Sequence, residues 1–516
     1  MSRALDTRMA LPADASRRAV DPAVAFFVVL AAVLLLAGRH RLFADPGVFW
    51  HTVVGRTIAV EARLPTADPF GFRHATTRWI PQQWLAELLM ALIERRAGWF
   101  GLLLAATALL AGSYAAAAGR LLRAGVEWPV AATWLVLAIG ASSYHFLVRP
   151  HLLTIALLGG VYVLLLEIDA GRARRGAVVA LPVIIALWSN LHGGALGGVA
   201  TVAFVAFGWL LERARAALGA ANGRTPPVPI GLALALPIAC AAATLVNPFG
   251  AELPRAWLQL MRMPALPRII VEHAPPSLTD PATGFGLLLA IGYFAALRRR
   301  GWRNARLAWL APAAWLLLAA TRVRHGPLFA MTTLVALGEI LRGPAGVDPG
   351  APARRGSVGL VAVAALLIGL LLPAIGILPR DADGCGPRDR AWPTSAGTAL
   401  CAALEQSPAA PRVINDMRLG GWLTWHVPRA RLFIDDRCEL YSEAELVEYE
   451  QAAQHDPARI ERWADDGDAR LAFVIAGGSF DHHLSAAPRW RMLARDSAAA
   501  CYERCPASLR AQRPRS

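Results

Sequence analysis

The sequence predicts an α-helical polytopic membrane protein of about 11 transmembrane helices, followed by a small C-terminal α/β domain. Of its 516 residues, 56% are hydrophobic and only 17% are charged. Apolar runs close to the ~20 residues that a crossing helix needs recur along the chain. No comparable run follows about residue 378, where the composition becomes mixed. These observations indicate a membrane domain over 1–378 and an aqueous domain over 379–516.

The predicted membrane spans have soft ends, because several are shorter than a full crossing. They lie at about 22–38, 99–118, 129–145, 150–168, 177–190, 194–211, 228–246, 281–297, 307–320, 327–341 and 358–378.

The charge of the chain predicts its orientation in the membrane. Lysine and arginine together number 52 against 37 acidic residues, and every one of these cations is arginine. Much of this charge lies in short loops, so we exclude nucleic acid as a partner and expect a lipid bilayer. The basic segments occupy every second connection, at 3–18, 120–123, 172–175, 213–224, 298–306 and 342–355. The positive-inside rule then predicts a cytoplasmic N-terminus, with the 39–98 loop and the C-terminal domain outside.

The first outer loop, 39–98, contains two acidic residues that each precede a proline, Asp45 and Asp68. Asp45 follows the first span closely, where the chain leaves the bilayer. Residues 82–97 are amphipathic and predict a helix on the membrane surface. Residues 48–61 predict a second surface helix, with Trp50 as its interfacial anchor. We expect this loop to contain the reaction centre.

Further polar clusters occur at the outer ends of later spans. Arg149, Arg322 and Arg324 lie in very short outer connections, against the positive-inside trend. An arginine at this depth needs a partner or a wet cavity, and its planar guanidinium suits phosphate oxygens. We therefore expect an anion site, with pairing to Glu272 or Asp280 as the alternative.

Several histidines accompany these arginines on the predicted outer face. His51, His151, His192 and His325 are candidate substrate-binding residues. Their spacing does not match a known metal-ligand pattern, so hydrogen bonding is the expected role. A divalent cation is the candidate cofactor.

Several motifs resemble those of bacterial membrane proteins related to the GT-C glycosyltransferases. They are Asp-Pro at 45–46, Leu-Pro-Thr-Ala-Asp-Pro-Phe at 64–70, Arg-Pro-His at 149–151, Asn-Leu-His-Gly-Gly at 190–194, Asn-Pro-Phe-Gly at 247–250, Arg-His-Gly-Pro-Leu-Phe-Ala at 324–330, Asn-Asp-Met-Arg-Leu-Gly-Gly-Trp-Leu-Thr-Trp at 415–425 and Ile-Asp-Asp-Arg at 434–437.

The resemblance covers roughly 40–440 and implies a GT-C-like fold. It also implies a polyprenyl-phosphate-linked or diphosphate-linked sugar donor, and an acidic catalytic residue in the first outer loop. Asp45 matches that position, and Asp68 is the second candidate for acceptor contact or metal binding. Related loops often read Asp-Pro-Asp, whereas this chain has Gly47 in the third position, which puts a paired-carboxylate metal site in doubt.

The C-terminal region predicts a mixed α/β structure. Residues 412–415, 431–435 and 471–476 predict strands, and Ser442 with Glu445 predicts a capping box that opens a helix over 443–453. A second helix is expected at 457–465. Asp435 and Asp436 are expected to be turn residues at a strand end, with substrate or metal binding as the alternative. Five cysteines in an oxidising outer compartment predict disulfides, with one thiol left over.

The sequence as a whole predicts a glycosyltransferase of the bacterial inner membrane. It would transfer a sugar from a polyprenyl-phosphate-linked donor to an envelope glycan, lipid or protein acceptor on the outer face. The alternative is a non-enzymatic transporter or an assembly factor for envelope polysaccharide. A transporter would favour polar residues near mid-span and internal repeats, and we find the polar clusters at span ends.

Overall fold

The computed structural model describes residues 22–174, 176–219, 224–342, 392–406 and 411–505. The helices up to residue 342 are α1 (Pro22–Leu36), α2 (Arg39–Leu42), α3 (Gly47–Glu61), α4 (Trp84–Arg123), α5 (Trp128–Ser142), α6 (His151–Asp169), α7 (Gly176–Leu191), α8 (Ala195–Ala217), α9 (Ile230–Ala243), α10 (Glu252–Met261), α11 (Leu266–Ile269), α12 (Pro281–Arg300), α13 (Ala311–Thr321) and α14 (Gly326–Ile340). Short 3-10 turns join several of them.

Local sequence explains where these helices begin and bend. Prolines lie in the first turn of α5, α12, α13 and α14, where the missing N–H is not needed. The Asp280 carboxylate accepts the Ala282 N–H and caps α12, which gives this acid a local role. Within α4, Gly98 has φ +61° and separates residues 84–97 from the apolar remainder.

Helices coincide with ten of the predicted spans in the described residues. Four of these helices, α4, α6, α8 and α12, are long and apolar enough to cross a membrane. Helices α1, α7, α9 and the 307–321 segment are shorter and apolar. The eleventh predicted span, 358–378, lies outside the described residues, so the count of eleven stays a prediction.

An ion-pair network joins the helices at the end opposite to Asp45. Arg172 contacts Glu167 on α6 and Glu339 on α14, and Arg120 on α4 donates to the same two carboxylates. The network connects three helices that are far apart in sequence. This end is the one that the arginine pattern predicts to be cytoplasmic.

The C-terminal region forms the expected small α/β unit. Its strands are β1 (Arg412–Asn415), β2 (Arg431–Leu432), β3 (Leu471–Ile475), β4 (Trp490–Arg495) and β5 (Ala499–Arg504), and its helices are α15 (Ser395–Glu405), α16 (Met417–His426), α17 (Glu443–His455), α18 (Arg459–Asp466) and α19 (Ser479–Ala486). The sheet order is β2-β1-β3-β5-β4, parallel over β2-β1-β3 and antiparallel beyond.

The C-terminal helices follow the sequence prediction closely. Ser442 and Glu445 form the predicted capping box of α17. Helix α18 covers most of the predicted 457–465 segment. The predicted boundary between the two domains, at 378 and 379, lies outside the described residues.

The 39–98 segment extends the sheet of the C-terminal unit. Gly71 pairs in parallel with Leu432 at the β2 edge. The Phe72 N–H donates to the Leu432 carbonyl at 3.0 Å, and the Leu432 N–H donates to the Phe70 carbonyl at 3.0 Å. An otherwise open sheet edge is thereby covered by a distant part of the same chain.

The expectation that residues 48–61 lie on the membrane surface is wrong. This segment is α3, and its Trp50 is only 3% exposed. Gly55 lies so close to the Glu87 carbonyl on α4 that any side chain at 55 would overlap it. On the other side, Gly421 of α16 packs against Pro46. Helix α3 is therefore enclosed between α4 and the C-terminal unit.

The expected disulfides are absent from the described residues. Cys240, Cys401, Cys438, Cys501 and Cys505 are free thiols. Cys438 and Cys501 are buried, so they pack as small apolar side chains. Cys385 lies outside the described residues.

Candidate active site

The candidate site begins at Asp45, in the short connection between α2 and α3. Asp45 Oδ1 accepts the Gly47 N–H at 2.7 Å, which fixes the carboxylate over the start of α3. Its Oδ2 accepts a hydrogen bond from Arg149 Nη1 at 3.2 Å. The side chain is 19% exposed, so it remains accessible from outside the protein.

Arg149 connects Asp45 to a second acid. The same Nη1 that contacts Asp45 also donates to Glu272 Oε1 at 3.1 Å. Burial opposes the charge on Glu272, but Arg149 together with His145, His151 and Arg324 outweighs it and lowers the pKa of Glu272. Likewise, burial of Arg149 is outweighed by Asp45 and Glu272, which raise its pKa. The alternative expectation for Arg149, pairing with Glu272, is therefore observed, and the anion site stays a prediction.

Gly47 makes this arrangement possible. A Cβ at position 47 would lie 2.6 Å from Asp45 Oδ1 and 3.0 Å from Arg149 Nε. The guanidinium therefore occupies the space that a side chain at 47 would need. A second carboxylate does not fit there, so residues 45–47 do not form a two-carboxylate metal site. Among the described residues, no group of three or more His, Cys, Asp or Glu side chains is arranged to hold a metal ion.

The C-terminal unit contributes Asp436 to the same place. Burial is the main factor that raises the pKa of Asp436, to about 7, and the neighbouring Asp45 carboxylate adds to it. Arg149 acts in the opposite direction. Within the described part of the chain, Asp436 Oδ1 is buried and has no hydrogen-bond partner. The turn that the sequence predicts here therefore also delivers a carboxylate to the site.

Two adjacent glycines on α16 bring Asp436 and Asp45 together. A Cβ on Gly420 would lie 2.5 Å from the Cβ of Asp435, and any side chain on Gly421 would overlap the Pro46 carbonyl. The backbone of α16 therefore packs directly against both the 434–435 segment and Pro46. The Gly-Gly pair in the sequence is the signal for this close contact, although its partner segments are remote.

Asp68 lies in a different environment from Asp45. Its Oδ1 accepts from Arg437 Nη2 at 2.7 Å and from the Phe70 N–H at 3.0 Å, and its Oδ2 accepts from the Gly71 N–H at 2.9 Å. The side chain is only 1% exposed. Asp68 therefore offers no accessible oxygen to an acceptor or a metal, contrary to the expectation from sequence.

Arg437 completes a buried triad with Asp68 and Asp435. Its Nη2 lies 2.6 Å from Asp435 Oδ2, and the guanidinium lies 4.8 Å from the ring centroids of both Phe70 and Trp79. The triad attaches the 434–438 turn to the first loop. It thereby positions the neighbouring Asp436.

Arg322 and Arg324 meet at the ring of His273. Arg324 Nη1 lies 2.6 Å from His273 Nε2, and Arg322 Nη1 lies 3.4 Å from His273 Nδ1. Burial, Arg324 and Arg322 lower the pKa of His273 to about 3, so the ring is neutral. Within the described residues, neither arginine forms an ion pair with an acidic side chain. Glu272 still acts on Arg324 electrostatically, so the positive charge of this pair of arginines is only partly compensated.

The predicted histidines form hydrogen bonds at helix ends. His151 Nε2 donates to the His145 carbonyl at 2.6 Å, and His325 Nδ1 donates to the Leu318 carbonyl at 3.1 Å. His192 Nδ1 accepts the Gly194 N–H at 2.9 Å, so its hydrogen resides on Nε2. His51 Nδ1 lies 2.9 Å from Glu87 Oε1. Burial, followed by the charge of Arg149, lowers the pKa of His51.

Most of the site residues predicted from the sequence lie in one region around Arg149. Arg149 is electrostatically coupled to Asp45, His51 and His192, and Arg324 to His192 and Glu272. Asp68 is the exception, because it is enclosed in the Arg437 triad. The region can hold an anion beside carboxylates of different basicity.

Comparisons with known proteins identify the fold. No family model matches the chain, and no curated protein matches it. The oligosaccharyltransferase of Archaeoglobus fulgidus, solved in the apo form, aligns with 88% of this chain and 69% of its own, at 12% identity and a TM-score of 0.51. ArnT from Cupriavidus metallidurans, solved with undecaprenyl phosphate, aligns with 95% and 99%, at 17% identity and a TM-score of 0.47.

The likeness to the archaeal enzyme confirms the GT-C-like fold that the motifs indicated. Together with the apolar helices, it identifies a multi-pass membrane protein.

Proposed function

We propose that the protein is a membrane glycosyltransferase that transfers a sugar from a polyprenyl-phosphate-linked donor to an envelope acceptor. The observation that carries the proposal is the contact of Arg149 with Asp45. It puts a phosphate-binding side chain next to a carboxylate, on a fold shared with a sugar transferase. Such a pair supplies both requirements of the reaction, a stabilised leaving phosphate and an acceptor of a proton.

Arg149, Arg322 and Arg324 would bind the phosphate of the donor. Guanidinium groups form paired hydrogen bonds with phosphate oxygens, and these strengthen as charge develops on the leaving group. Arg322 and Arg324 form no ion pair with an acid in the described residues, and Glu272 offsets the charge of Arg324 only through space, which leaves positive charge for the donor. His192 and His325 would hydrogen-bond to the phosphate or the sugar, as would His151. His51 is wholly buried against Glu87, so we assign it no substrate contact.

A carboxylate beside Arg149 would remove the proton of the acceptor hydroxyl as that oxygen attacks the anomeric carbon. Asp45 is the one that the sequence singles out, and its side chain is partly exposed. The carbon–oxygen bond to the donor phosphate breaks as the new glycosidic bond forms. Polyprenyl phosphate leaves with the bonding electron pair.

The site would lie on the outer face of a bacterial inner membrane, because the arginine-rich connections lie at the other end of the helices. An acceptor would approach from the aqueous side, past the C-terminal unit. An envelope glycan, lipid or protein fits that location.

The direct test is sugar transfer by the purified protein in nanodiscs, with a panel of undecaprenyl-phosphate-linked sugars and an envelope extract as acceptor. We expect release of undecaprenyl phosphate and labelling of an acceptor, both lost in an Asp45→Asn, Arg149→Ala double variant. Donor binding without turnover for every donor and acceptor would contradict the proposal and favour a transporter or an assembly factor.

A further inference from the structure

We propose that Asp436 of the C-terminal unit is the catalytic base of this transferase, and that Asp45 orients the acceptor hydroxyl and Arg149. The inference rests on the proposed function and assigns its proton transfer to a residue outside the first loop. It starts from the position of Asp436, which lies near Asp45 although the two residues are 391 positions apart in the sequence.

Two contacts fix Asp436 at the reaction centre. The Asp68–Arg437–Asp435 triad attaches its turn to the first loop, with Arg437 wholly buried. The Gly420–Gly421 pair allows α16 to contact Asp435 on one side and Pro46 on the other. Asp436 is therefore held rigidly, which a base requires for correct orientation of its oxygen.

The unsatisfied oxygen of Asp436 is a second, independent observation. In the described residues, Oδ1 is buried and accepts no hydrogen bond. Buried polar atoms are nearly always paired, and the exceptions are concentrated at functional sites. A substrate hydroxyl is a donor that would satisfy this oxygen.

Asp45 and Asp436 differ in a way that separates their roles. Asp45 accepts hydrogen bonds from Arg149 and from the Gly47 N–H, so both of its carboxylate oxygens already have a donor. Asp436 lies near Asp45, Asp435 and Cys438, and its cationic neighbour is Arg149. The Trp50 indole, like Arg149, favours the ionised form of Asp436. Burial and the adjacent negative charge raise the pKa of Asp436 to about 7. A base with a pKa near the working pH is the more effective one.

The chemical step of sugar transfer follows from these roles. The acceptor oxygen attacks the anomeric carbon while its proton moves to Asp436 and the bond from that carbon to the phosphate oxygen breaks. Arg149 and Arg324 stabilise the charge on the leaving phosphate. Asp436 then releases the proton to solvent before the next turnover.

The test is the pH dependence of turnover in nanodiscs for the wild type, Asp436→Asn, Asp45→Asn and the matched control Asp466→Asn, an exposed acid of the same unit. The wild type should lose activity below about pH 7, as Asp436 becomes protonated. Asp436→Asn should bind donor normally and turn over roughly 10²–10⁴-fold more slowly. Its remaining activity should no longer fall below about pH 7. Asp45→Asn should still lose activity as the pH falls, but at a lower pH than the wild type, because a negative charge beside Asp436 is gone. Asp466→Asn should match the wild type.

Two results would overturn the inference, and they differ from each other. The first is an active wild type whose Asp436→Asn variant keeps most of its turnover and still loses activity at low pH. The protein would then be a transferase with Asp45, not Asp436, as its base. A wild type with no transfer would overturn the proposed function, and the role of Asp436 with it. Thermal midpoints of all variants check that each is folded.

Discussion

Asp68 and Arg437 are 369 positions apart in the chain and form a buried ion pair of 2.7 Å. One residue belongs to the 39–98 segment and the other to the C-terminal unit. Both charges are buried, so removing either residue would leave the other without this partner away from water. The two segments therefore form one structural unit around Asp45.

The first prediction concerns this pair. Arg437→Ala leaves two buried carboxylates without a cation, so the free energy of unfolding should fall by roughly 3–5 kcal/mol. Denaturation in detergent measures the change. Arg491→Ala, which removes an exposed pair with Glu503, is the matched control and should be nearly neutral. Asp68→Ala should destabilise the fold less than Arg437→Ala, because Arg437 keeps its ion pair with Asp435. Lost turnover at unchanged stability would instead indicate a catalytic Asp68.

A second prediction concerns the close contact at Gly421. Any side chain there would overlap the Pro46 carbonyl, and backbone atoms give way less easily than side chains. Gly421→Ala should lower the thermal midpoint and turnover, and Gly421→Val should lower both further. Gly160→Ala is the control, because a Cβ at 160 on α6 meets nothing within 4 Å. Wild-type turnover in Gly421→Val would show that the contact does not position the site.

The third prediction separates the arginines by function. Arg324→Ala should weaken binding of undecaprenyl phosphate, and Arg324→Lys should restore it only in part, since an ammonium lacks the planar fork. Arg149→Ala should also reduce turnover, because it releases Asp45 and Glu272 from their shared cation. Lipid binding and single-turnover transfer give the two quantities. Unchanged lipid affinity in both alanine variants would exclude the phosphate site.

The fourth prediction concerns orientation. Reporter fusions after residues 123 and 303 should report the cytoplasm, and fusions at 70 and 420 should report the outer side. The alternating arginine-rich connections are the reason. A reporter that is active outside when fused in the 298–306 connection would reverse the orientation and move the site to the cytoplasmic face.

Much of the architecture was predictable because helices of a membrane protein appear as apolar runs. Asp45 and Arg149 were also identifiable, since a charge beside a span is conspicuous. Their contact was not, because it depends on Gly47 leaving room for a guanidinium. Trp50 was misassigned because an aromatic residue on an amphipathic helix fits a membrane surface and a protein interior equally well. Asp436 resembled a turn residue, and only the fold shows what that turn meets.

The last prediction concerns the dependence of stability on pH. The ordinary pKa of an aspartate is 3.8, and burial together with Asp45 raises that of Asp436 to about 7 in the folded protein. Between these values the folded state holds a proton that the unfolded chain has lost. Stability from this group is therefore fully present below about pH 4, and it is lost as pH rises through about 7.

Asp436→Asn should reverse this loss, because an amide does not ionise. Its thermal midpoint should equal that of the wild type near pH 4 and exceed it near pH 8. Asp45→Asn should reduce the pH dependence of the wild type, since it removes a charge that disfavours ionised Asp436. Calorimetry or fluorescence melting in one detergent, with Asp466→Asn as the exposed control, measures the differences. A midpoint for Asp436→Asn that lies below the wild type near pH 8 would mean that ionised Asp436 stabilises the fold, and the carboxylate would then be a structural ligand of Arg149.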